Sequence, residues 1–545
     1  MPEDDNKGVI RIESILGGHA PMTHFAGANQ FKASLGIDPS GTLDDTDTSV
    51  NAVIPSGLLR PRGVANIQSG VIHNIPLWLE SNPKNGNVFV YDSAGSVYTI
   101  DANFTAITAL GDLNDDMTST GNGCAYYDNY IYFATNTTVA RYGPLDGTAA
   151  FTDNYWVSTL SKTRLTDNSN YPLANQVGNG SSLKYPNHVL HRHSDGKLYI
   201  ADVVDGKGTI HYIATTKSSV EGDTDNGSTY NKVQVGYGLL PTAMESYGSD
   251  LAIAFYEGSG SYISQSRAKI AFWDTTSTNI NKITWVEFPD PYISSMKNIN
   301  GVLYVAYGRV GSGGFRILRF VGGYTFEEVH MNMTAAMPFP DGMDGQGDQL
   351  LFASFTDIPE TAGCVFSLGL QNNLSKGVFN IHRVSSSESS AVATCLHLSD
   401  NHGLNSIAPT VGWGTGDNGT THNSVDTKSS GYSSNFPSVW WSQMYRIGQP
   451  AKITKIRIPL AQVLTSSMTI VPKIYYDSGA GTETLTTINS TNFGTNTQSI
   501  VLRPTNLTVD NDFWLELRWT GSALCTVALP ITIEYELLDV DTAYP

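Results

Sequence analysis

The chain has 545 residues, 40% of them hydrophobic and 15% charged, and its formal net charge is −18. A chain of this length and apolar content can bury a large core and build more than one domain, so disorder throughout is excluded. Asp and Glu outnumber Lys and Arg by 50 to 32. No basic run interrupts this acidity, which excludes nucleic acid as a partner because phosphate binding needs clustered cations.

The amino terminus and the cysteines narrow the class further. The opening MPEDDNKGVIRIE is acidic where a secretory signal is basic and then apolar, and no run of about 18 apolar residues follows, so we expect no membrane insertion. Cys124, Cys364, Cys395 and Cys525 show no CxxC spacing, which favours buried free thiols over a zinc site or a disulfide framework. Low charge with abundant Ser, Thr, Asn and Gly is typical of an extracellular or virion β protein.

Residues 1–58 form the first segment in chain order. They mix many turn-forming residues with isolated apolar ones, as in ILGGHAPMTHFAGANQF, and this pattern predicts an extended arm. The pattern leaves open whether the arm lies on its own chain or on a neighbouring subunit.

A repeated hairpin dominates the next three hundred residues. Each copy has an apolar strand, a polar turn and a second apolar strand, which is the pattern of a β-hairpin. The six clear copies are GNVFVYDSAGSVYTID from Gly86, NYIYFATNTTVARYG from Asn129, KLYIADVVDGKGTIHYIA from Lys197, DLAIAFYEGSGSYISQSRAKIAFWD from Asp250, VLYVAYGRVGSGGFRILRF from Val302 and QLLFASFTDIPETAGCVFSLG from Gln349.

Five of these hairpins carry an alanine at the end of their first strand, and the first hairpin has Tyr91 there. The alanines are Ala134, Ala201, Ala254, Ala306 and Ala353. Counted from Tyr91, the successive positions are 43 to 67 residues apart, which is about one blade of a β-propeller with variable outer loops. Blades packed in a ring cover one another's apolar faces, so we predict a propeller over residues 59–400.

Seven blades are favoured over six. Gly377–Val384 together with Ala391–Leu398 can form a seventh unit, and LRPRGVANIQSG near residue 60 can supply the strand that closes the ring. Residues 401–436 are rich in Gly, Ser, Thr and Asn, and we predict a linker or a long loop there.

Residues 437–545 return to alternating apolar and polar positions. Five strands are predicted, at Ala451–Pro459, Met468–Tyr476, Gln498–Leu502, Phe513–Trp519 and Ile531–Leu537. This density of short strands predicts a C-terminal β-sandwich of jelly-roll type. The fold class is therefore all-β, with a propeller followed by a sandwich.

Catalytic equipment is sparse in the sequence. Glycoside hydrolysis needs two carboxyl groups of contrasting pKa. The candidates Asp290, Glu327, Glu328, Asp341 and Asp344 all lie in turn-like polar stretches, where solvated carboxylates are common. No Gly-x-Ser-x-Gly elbow or phosphate-binding loop has the required context. We therefore predict no catalytic residue and no enzymatic activity.

Metal sites are equally weak, and we predict no metal-binding or cofactor-binding residue. His191 and His193 alternate on one strand near His188 and could ligate a transition metal, but no further ligand can be placed, which favours structural histidines. Asp-rich turns at 222–227 and 43–47 could hold calcium, although neither matches a complete calcium loop. Calcium is the only ion we retain, as the less favoured alternative to plain polar turns.

Three aromatic residues of the sandwich, Trp440, Trp441 and Tyr445, lie close together in VWWSQMYRIG. Exposed aromatic rings can form platforms for sugar rings, whereas Trp at strand positions is more often part of the core. Burial is the favoured interpretation, and a glycan-binding platform is the alternative.

The predicted order is an arm, a propeller and a sandwich. The arm contains NQFKASLGIDPSG and leads into SGLLRPRG, and the sandwich opens with VWWSQMYRIGQPAKITKIRIPL and closes with NDFWLELRWTGSALCTVALPITIEYEL. This layout resembles virion proteins of tailed bacteriophages. The resemblance covers most of the chain but brings no functional residues. It implies a non-enzymatic structural protein of the particle, associated with the tail, that forms a homo-oligomer and assembles with other virion proteins. It also implies contact with host surface carbohydrate.

Two alternatives stay open. A secreted carbohydrate-active enzyme would use the propeller for catalysis and the sandwich for binding, and it would need two facing carboxylates at the propeller centre. A protein-binding scaffold inside a host cell is the other alternative. The low charge and the abundance of Ser, Thr and Asn count against that scaffold.

Overall fold

The computed structural model describes almost entirely β structure. The described residues are 6–20, 29–39, 58–61, 66–68, 72–102, 106–112, 120–135, 139–156, 189–204, 207–213, 232–257, 267–277, 283–290, 292–308, 314–332, 337–346, 349–355, 363–369, 378–383, 392–399, 410–416, 423–427 and 438–538. Within these ranges the helical pieces are the α-helix Ser490–Phe493 and the 3-10 turn Asp477–Gly479. None of the described helices is long and apolar enough to span a membrane.

The chain divides into two compact units. The first contains Met1–Ala65, Thr356–Arg383 and Lys428–Pro545, and the second contains Asn66–Phe355 and Val384–Thr427.

Seven four-stranded propeller blades follow one another along the chain. Five blades are separate sheets, and blades two and three are joined into one eight-stranded sheet by the parallel pairing of Asn122 with Val189. Blades one to three contain Pro76–Ser81, Val88–Asp92, Ser96–Ile100 and Ile107–Asp112, then Thr120–Tyr127, Tyr130–Thr135, Val139–Gly143 and Ala150–Trp156, then Val189–Arg192, Leu198–Val204, Lys207–Ile213 and Lys232–Tyr237. Blades four and five contain Leu239–Tyr247, Asp250–Glu257, Arg267–Trp273 and Thr284–Phe288, then Tyr292–Ile299, Val302–Gly308, Phe315–Gly322 and Thr325–Asn332. Blades six and seven contain Met343–Gln346, Gln349–Phe355, Gly363–Leu368 and Val378–Arg383, then Val392–Ser399, Thr410–Gly416, Ser424–Thr427 and Asn66–Gln68.

The ring is closed by a strand from the other end of the array. Asn66–Gln68 is the outermost strand of blade seven and pairs antiparallel with Ser424–Thr427, with Gln68 opposite Val425. The first strands of the blades are neighbours in cyclic order, and the first strand of blade seven lies beside that of blade one. The predicted closure near residue 60 and the preference for seven blades are confirmed.

The core of the propeller lies between neighbouring blades. All six predicted hairpins form the second and third strands of blades one to six. One buried cluster joins Tyr199 of blade three to Phe255 of blade four, and another joins Val90 of blade one to Val425 of blade seven. The five recurrent alanines are fully buried. Each blade thus has its apolar side chains covered by the neighbouring blades, because it could not bury them alone.

Gly414 shows how closely blades seven and one approach each other. It lies in the segment VGWG, where other blades have LYIA or LYVA. A Cβ at this glycine would lie 2.5 Å from the Cys395 Sγ and 3.0 Å from the Pro76 Cβ. Even an alanine is too large here, so the recurrent alanine is replaced by glycine.

The structure places the last blades differently from the sequence pattern. Val378–Arg383 belongs to blade six, and only Val392–Ser399 belongs to blade seven. The segment 401–436, for which we predicted a linker or a loop, contains the blade strands Thr410–Gly416 and Ser424–Thr427. Three glycines in Thr410–Gly416 and the polar residues of Ser424–Thr427 reduce the apolar periodicity and give the composition of a linker.

The first unit contains two larger sheets. One has the order Lys7–Ile12, Ile531–Leu537, Ala451–Pro459 and Ser499–Leu502, with Thr508–Val509 also paired to Ala451–Pro459. The other has the order Gly18–His19, Gln30–Leu35, Ser438–Ser442, Asp512–Trp519, Ile470–Tyr476 and Gly481–Thr484, with Tyr445–Arg446 also paired to Asp512–Trp519. Ile37–Asp38 and Arg60–Pro61 form a separate pair. The five predicted strands are confirmed, and the jelly-roll sandwich stays a prediction.

Residues 1–58, interpreted from sequence as an arm, contribute strands to both of these sheets. Lys7–Ile12 pairs with Ile531–Leu537, and Gln30–Leu35 pairs with Ser438–Ser442. The described part of this segment therefore lies on its own chain. Its short apolar alternations, such as VIRI, become strands only because distant strands offer them free edges.

All four cysteines are free thiols in this structure. Cys364, Cys395 and Cys525 are buried, whereas Cys124 is partly exposed. The prediction of free thiols is confirmed, and burial holds for three of them.

Candidate functional site in the propeller channel

The innermost strands of the blades carry polar side chains at one equivalent position. Each of these residues pairs with the residue two positions before the recurrent alanine, or before Tyr91 in blade one and Gly414 in blade seven. We call this set the channel ring, and in blade order it consists of Glu80, Ala125, His191, Glu245, Lys297, Asp344 and His397. Six of the seven positions therefore hold a polar or titratable side chain.

Lys297 is the electrostatic centre of the channel ring. Its ammonium lies 3.0 Å from the Asp344 carboxylate of blade six. It also interacts with Glu245 of blade four and with Glu80 of blade one. Blades one and five are not neighbours in the ring, so the interaction of Lys297 with Glu80 crosses the channel.

Several carboxyl groups of the channel connect neighbouring blades by accepting backbone hydrogen bonds. Glu80 accepts the N–H of Tyr126 at 3.2 Å, which links blades one and two. Asp344 accepts the N–H of Leu398 at 2.8 Å, which links blades six and seven. Asp341, just before the first strand of blade six, lies close by and is described below.

A hydroxyl group and a side-chain amide add further connections between blades. The Ser81 hydroxyl lies 2.5 Å from the Nε2 of His397 and joins blades one and seven. The carbonyl of Ser246 accepts a hydrogen bond from the Asn298 amide at 2.8 Å, between blades four and five. Buried polar groups need hydrogen-bond partners, and these groups find theirs on other blades. The channel polar groups therefore connect the innermost strands.

Two carboxyl groups of the ring have raised pKa values. Burial, opposed by the Tyr126 N–H and by Lys297, raises the pKa of Glu80 to about 7. Burial also raises the pKa of Glu245 to about 7, although Lys297 favours its charged form. Each group therefore exchanges its proton near neutral pH.

The two aspartates of blade six differ. Burial raises the pKa of Asp341 well above its usual range, although its carboxyl group accepts the N–H of Leu79 at 2.9 Å. For Asp344, burial is outweighed by Lys297, His397 and the Leu398 N–H, so its pKa is lowered. Burial also opposes the charge of Lys297, but the surrounding carboxylates hold the Lys297 pKa above its usual value. The Lys297–Asp344 pair is therefore ionised at neutral pH.

His191 and His193, for which the sequence favoured a structural role over metal binding, share a hydroxyl group. His191 Nε2 lies 2.8 Å from the Ser246 Oγ, and His193 Nδ1 lies 2.9 Å from the same atom. Burial, with His193 and Lys297 nearby, lowers the pKa of His191 to about 3, which keeps its ring neutral. Within the described ranges, no group of three or more His, Cys, Asp or Glu side chains could hold a metal ion. His188 and the acidic turns at 222–227 and 43–47 lie outside those ranges.

The carboxylates named from the sequence separate into two groups. Asp341 and Asp344 belong to the channel, as described above. Asp290, Glu327 and Glu328 form ion pairs with Arg316 or Arg319 in blade five. Glu80 and Glu245 were missed because nothing in their immediate sequence marks them. The repeat offered a signal for three residues of the channel ring. Glu245, Lys297 and Asp344 each lie nine residues before the recurrent alanine of their blade.

The aromatic residues of the first unit lie mostly inside it. Trp440 is 1% exposed and Trp441 is 9% exposed. The Trp441 indole donates a hydrogen bond to Glu516 at 2.8 Å and contacts the Tyr475 ring at 5.6 Å. Tyr445 is only partly buried, and burial raises its pKa. The burial of both tryptophans agrees with the favoured interpretation as core and leaves no platform of three exposed rings.

No protein-family model matches this chain, and no curated protein matches it. Among solved structures, similar chains are found in a mitotic checkpoint complex (12% identity, TM-score 0.39, covering 67% of this chain and 91% of that one). Another is the Cps50 (Swd1) β-propeller domain of Myceliophteria thermophila (10% identity, TM-score 0.39, covering 67% of this chain and 100% of that one). A third is the Pan2 WD40 domain of Neurospora crassa (9% identity, TM-score 0.38, covering 68% of this chain and 95% of that one). The assignment of a β-propeller to this chain depends on its own strand order.

Proposed function

We propose that this chain is a non-enzymatic structural protein of a tailed-bacteriophage particle, associated with the tail. In this proposal it forms a homo-oligomer, assembles with other virion proteins and contacts carbohydrate on the host surface. The observation that carries the non-enzymatic part is the engagement of channel carboxyl groups in contacts between blades. Glu80, Asp341 and Asp344 each accept a backbone N–H from another blade.

Groups engaged in this way stabilise a closed ring. Each connection joins innermost strands that are far apart in sequence, and their loss would leave buried polar groups without partners. A ring that needs no disulfide suits a particle component that must persist outside cells. The four free thiols and the low share of charged residues, 15%, are consistent with that role.

One observation favours a second candidate, a glycosidase that uses the channel. Glu80 and Glu245 have pKa values of about 7, whereas the pKa of Asp344 is lowered. Carboxyl groups with separated pKa values are the equipment of acid–base hydrolysis. This candidate predicts turnover that depends on Glu80 or Glu245.

Fractionation of the source culture tests the particle role. An antibody against the chain is used to follow it through a density gradient, alongside electron microscopy of each fraction. We expect the chain to sediment with tailed particles and the antibody to label the tail. Recovery of the chain only as free protein, with unlabelled particles, would contradict the proposal.

A hydrolysis screen distinguishes the second candidate. The purified full chain is incubated with neutral and acidic oligosaccharides, and reducing ends are measured for the wild type, Glu80→Gln, Glu245→Gln and the control Glu327→Gln. Glu327 is exposed and pairs with Arg319, so its loss should leave the channel intact. No turnover is expected. Hydrolysis that survives in the control but disappears in either channel variant would replace the structural proposal by the enzymatic one.

A further inference from the structure

An open groove lies on the propeller between the outer strands of blades four and five. It is lined by Val286–Asp290 from blade four and by Tyr307, Arg316 and Tyr324–Phe326 from blade five. Its volume is about 570 Å³, within the roughly 300–1,000 Å³ of small-ligand sites. We call it the outer groove.

One wall of the outer groove presents an exposed aromatic ring. Tyr324 is 47% exposed, and Val321 on the same hairpin is 52% exposed. In the described part of the chain, only Val9 and Val463 are comparably exposed large apolar residues. The Tyr324 ring contacts Phe272 at 5.5 Å and Phe320 at 6.3 Å, so it is held from behind.

The backbone at this hairpin tip is unusual for tyrosine. Gly323 and Tyr324 join two strands with φ values of +57° and +59°. Two-residue turns with two positive φ values favour Asn-Gly, and a bulky residue in this conformation is uncommon. The chain thus keeps a ring at the mouth of the groove at a position where Asn would suit the backbone better.

Polar groups form the floor of the groove. The guanidinium of Arg316 donates a hydrogen bond to the Asp290 carboxylate at 2.8 Å, and the Asp290 N–H donates to the Tyr307 hydroxyl at 2.6 Å. Burial, the largest influence, together with Asp290, raises the pKa of Tyr307 to about 12, so its hydroxyl stays protonated.

The charges of the groove are compensated within the protein. Arg316 pairs with Asp290 and also with Glu328, at 2.9 Å. Glu287 pairs with Lys269 at 3.2 Å and with Arg267 at 3.5 Å. Each of the three charged lining residues, Glu287, Asp290 and Arg316, therefore has an opposite charge beside it. A charged ligand would have to displace one of these pairs, whereas an uncharged ligand would not.

We infer that the outer groove binds a neutral saccharide. A sugar ring offers an apolar face to Tyr324 and hydroxyl groups to the fixed carboxylate, guanidinium and phenol groups, and it carries no charge that needs a partner. A few oriented polar groups on an aromatic wall are the usual composition of such sites. The inference rests on the proposed function, since it assigns the carbohydrate contact of the particle to the propeller rather than to Trp440, Trp441 and Tyr445.

The test measures binding to the full chain by titration calorimetry and on an array. The probes are neutral oligosaccharides with glucose, galactose, mannose or N-acetylglucosamine units, the corresponding sialylated and sulfated glycans, and a tetralysine peptide. The decisive variant is Tyr324→Asn, which removes the ring but suits the positive φ. The control is Val321→Asn on the same hairpin, which lies outside the groove lining.

We expect a neutral glycan to bind, at least tenfold loss of affinity in Tyr324→Asn, and no change in Val321→Asn. The melting temperature of Tyr324→Asn should equal or exceed that of the wild type, which separates lost binding from lost folding. Binding that is unaffected by Tyr324→Asn, binding only to acidic glycans or to tetralysine, or no binding at all would overturn the inference. The particle test and the glycan test have separate readouts. Failure of glycan binding therefore overturns this inference without overturning the particle role.

Discussion

The innermost strands and the outer hairpins of the propeller each contain ion pairs, but in different surroundings. In the channel, Lys297 pairs with Asp344, whose side chain is 11% exposed. On the outer hairpin of blade five, Arg319 pairs with Glu327 at 2.6 Å, with side chains 32% and 54% exposed. Because the Asp344 carboxylate is buried and the Glu327 carboxylate is exposed, we expect the channel pair to affect stability more than the outer pair, although the outer pair is the shorter.

The largest expected effect comes from removing the channel cation. Lys297→Met leaves the Asp344 carboxylate buried without its partner, and breaking a buried pair is strongly destabilising. The Lys297 side chain is 34% exposed, so water screens part of the interaction. We therefore expect a loss of about 2–3 kcal/mol in the free energy of unfolding at pH 8, less than for a fully buried pair. Urea unfolding followed by tryptophan fluorescence measures it.

The loss should shrink toward pH 5, where Glu80 and Glu245 are protonated and need no cation. Adding Asp344→Asn to Lys297→Met should recover part of the stability, since it removes the unpaired charge. A single variant as stable as the wild type at pH 8 would show that the channel charges are solvated like those on the outside.

An intermediate effect is expected from Glu80→Gln. The pKa of Glu80 is raised in the folded state to about 7 from an ordinary 4.5, so its contribution to stability is complete below pH 4.5 and is lost as the pH rises through 7. Glutamine cannot ionise and still accepts the Tyr126 N–H. We expect the variant to be more stable than the wild type at pH 8, by about 1–2 kcal/mol after allowing for partial exposure.

Melting temperatures of Glu80→Gln and the wild type at pH 5, 6, 7 and 8 check this expectation. The two curves should lie closest together at pH 5 and separate as the pH rises. Glu245→Gln should behave in the same way because its pKa is also raised to about 7. Parallel curves over this range would mean that neither carboxyl group titrates with a raised pKa.

The smallest effect is expected from the outer pair. Arg319→Met removes the partner of Glu327, which stays in contact with water, so we expect a change of about 0–1 kcal/mol that is reduced further by salt. The same urea titration at low and high salt measures it. A loss as large as that of Lys297→Met would remove the distinction between channel and outer hairpin.

Local pattern was enough to identify most of the propeller. Alternating apolar residues and polar turns predicted all six hairpins, and the repeat length predicted a blade, because both depend on neighbouring residues. The strands at Thr410–Gly416 and Ser424–Thr427 were not predicted. The glycines of the first strand and the polar residues of the second are typical of a linker. The close packing of Gly414 against Cys395, which explains that glycine, is visible only in the tertiary structure.

Composition and short-range periodicity encode the β class and the blade repeat, so both could be predicted from the amino-acid sequence. Tertiary structure alone decided which charged residues meet. Glu80, Glu245, Lys297 and Asp344 are separated by dozens of residues, and strand register around a closed ring places them at one level. Their proton affinities follow from that shared burial, which no single segment of the chain contains.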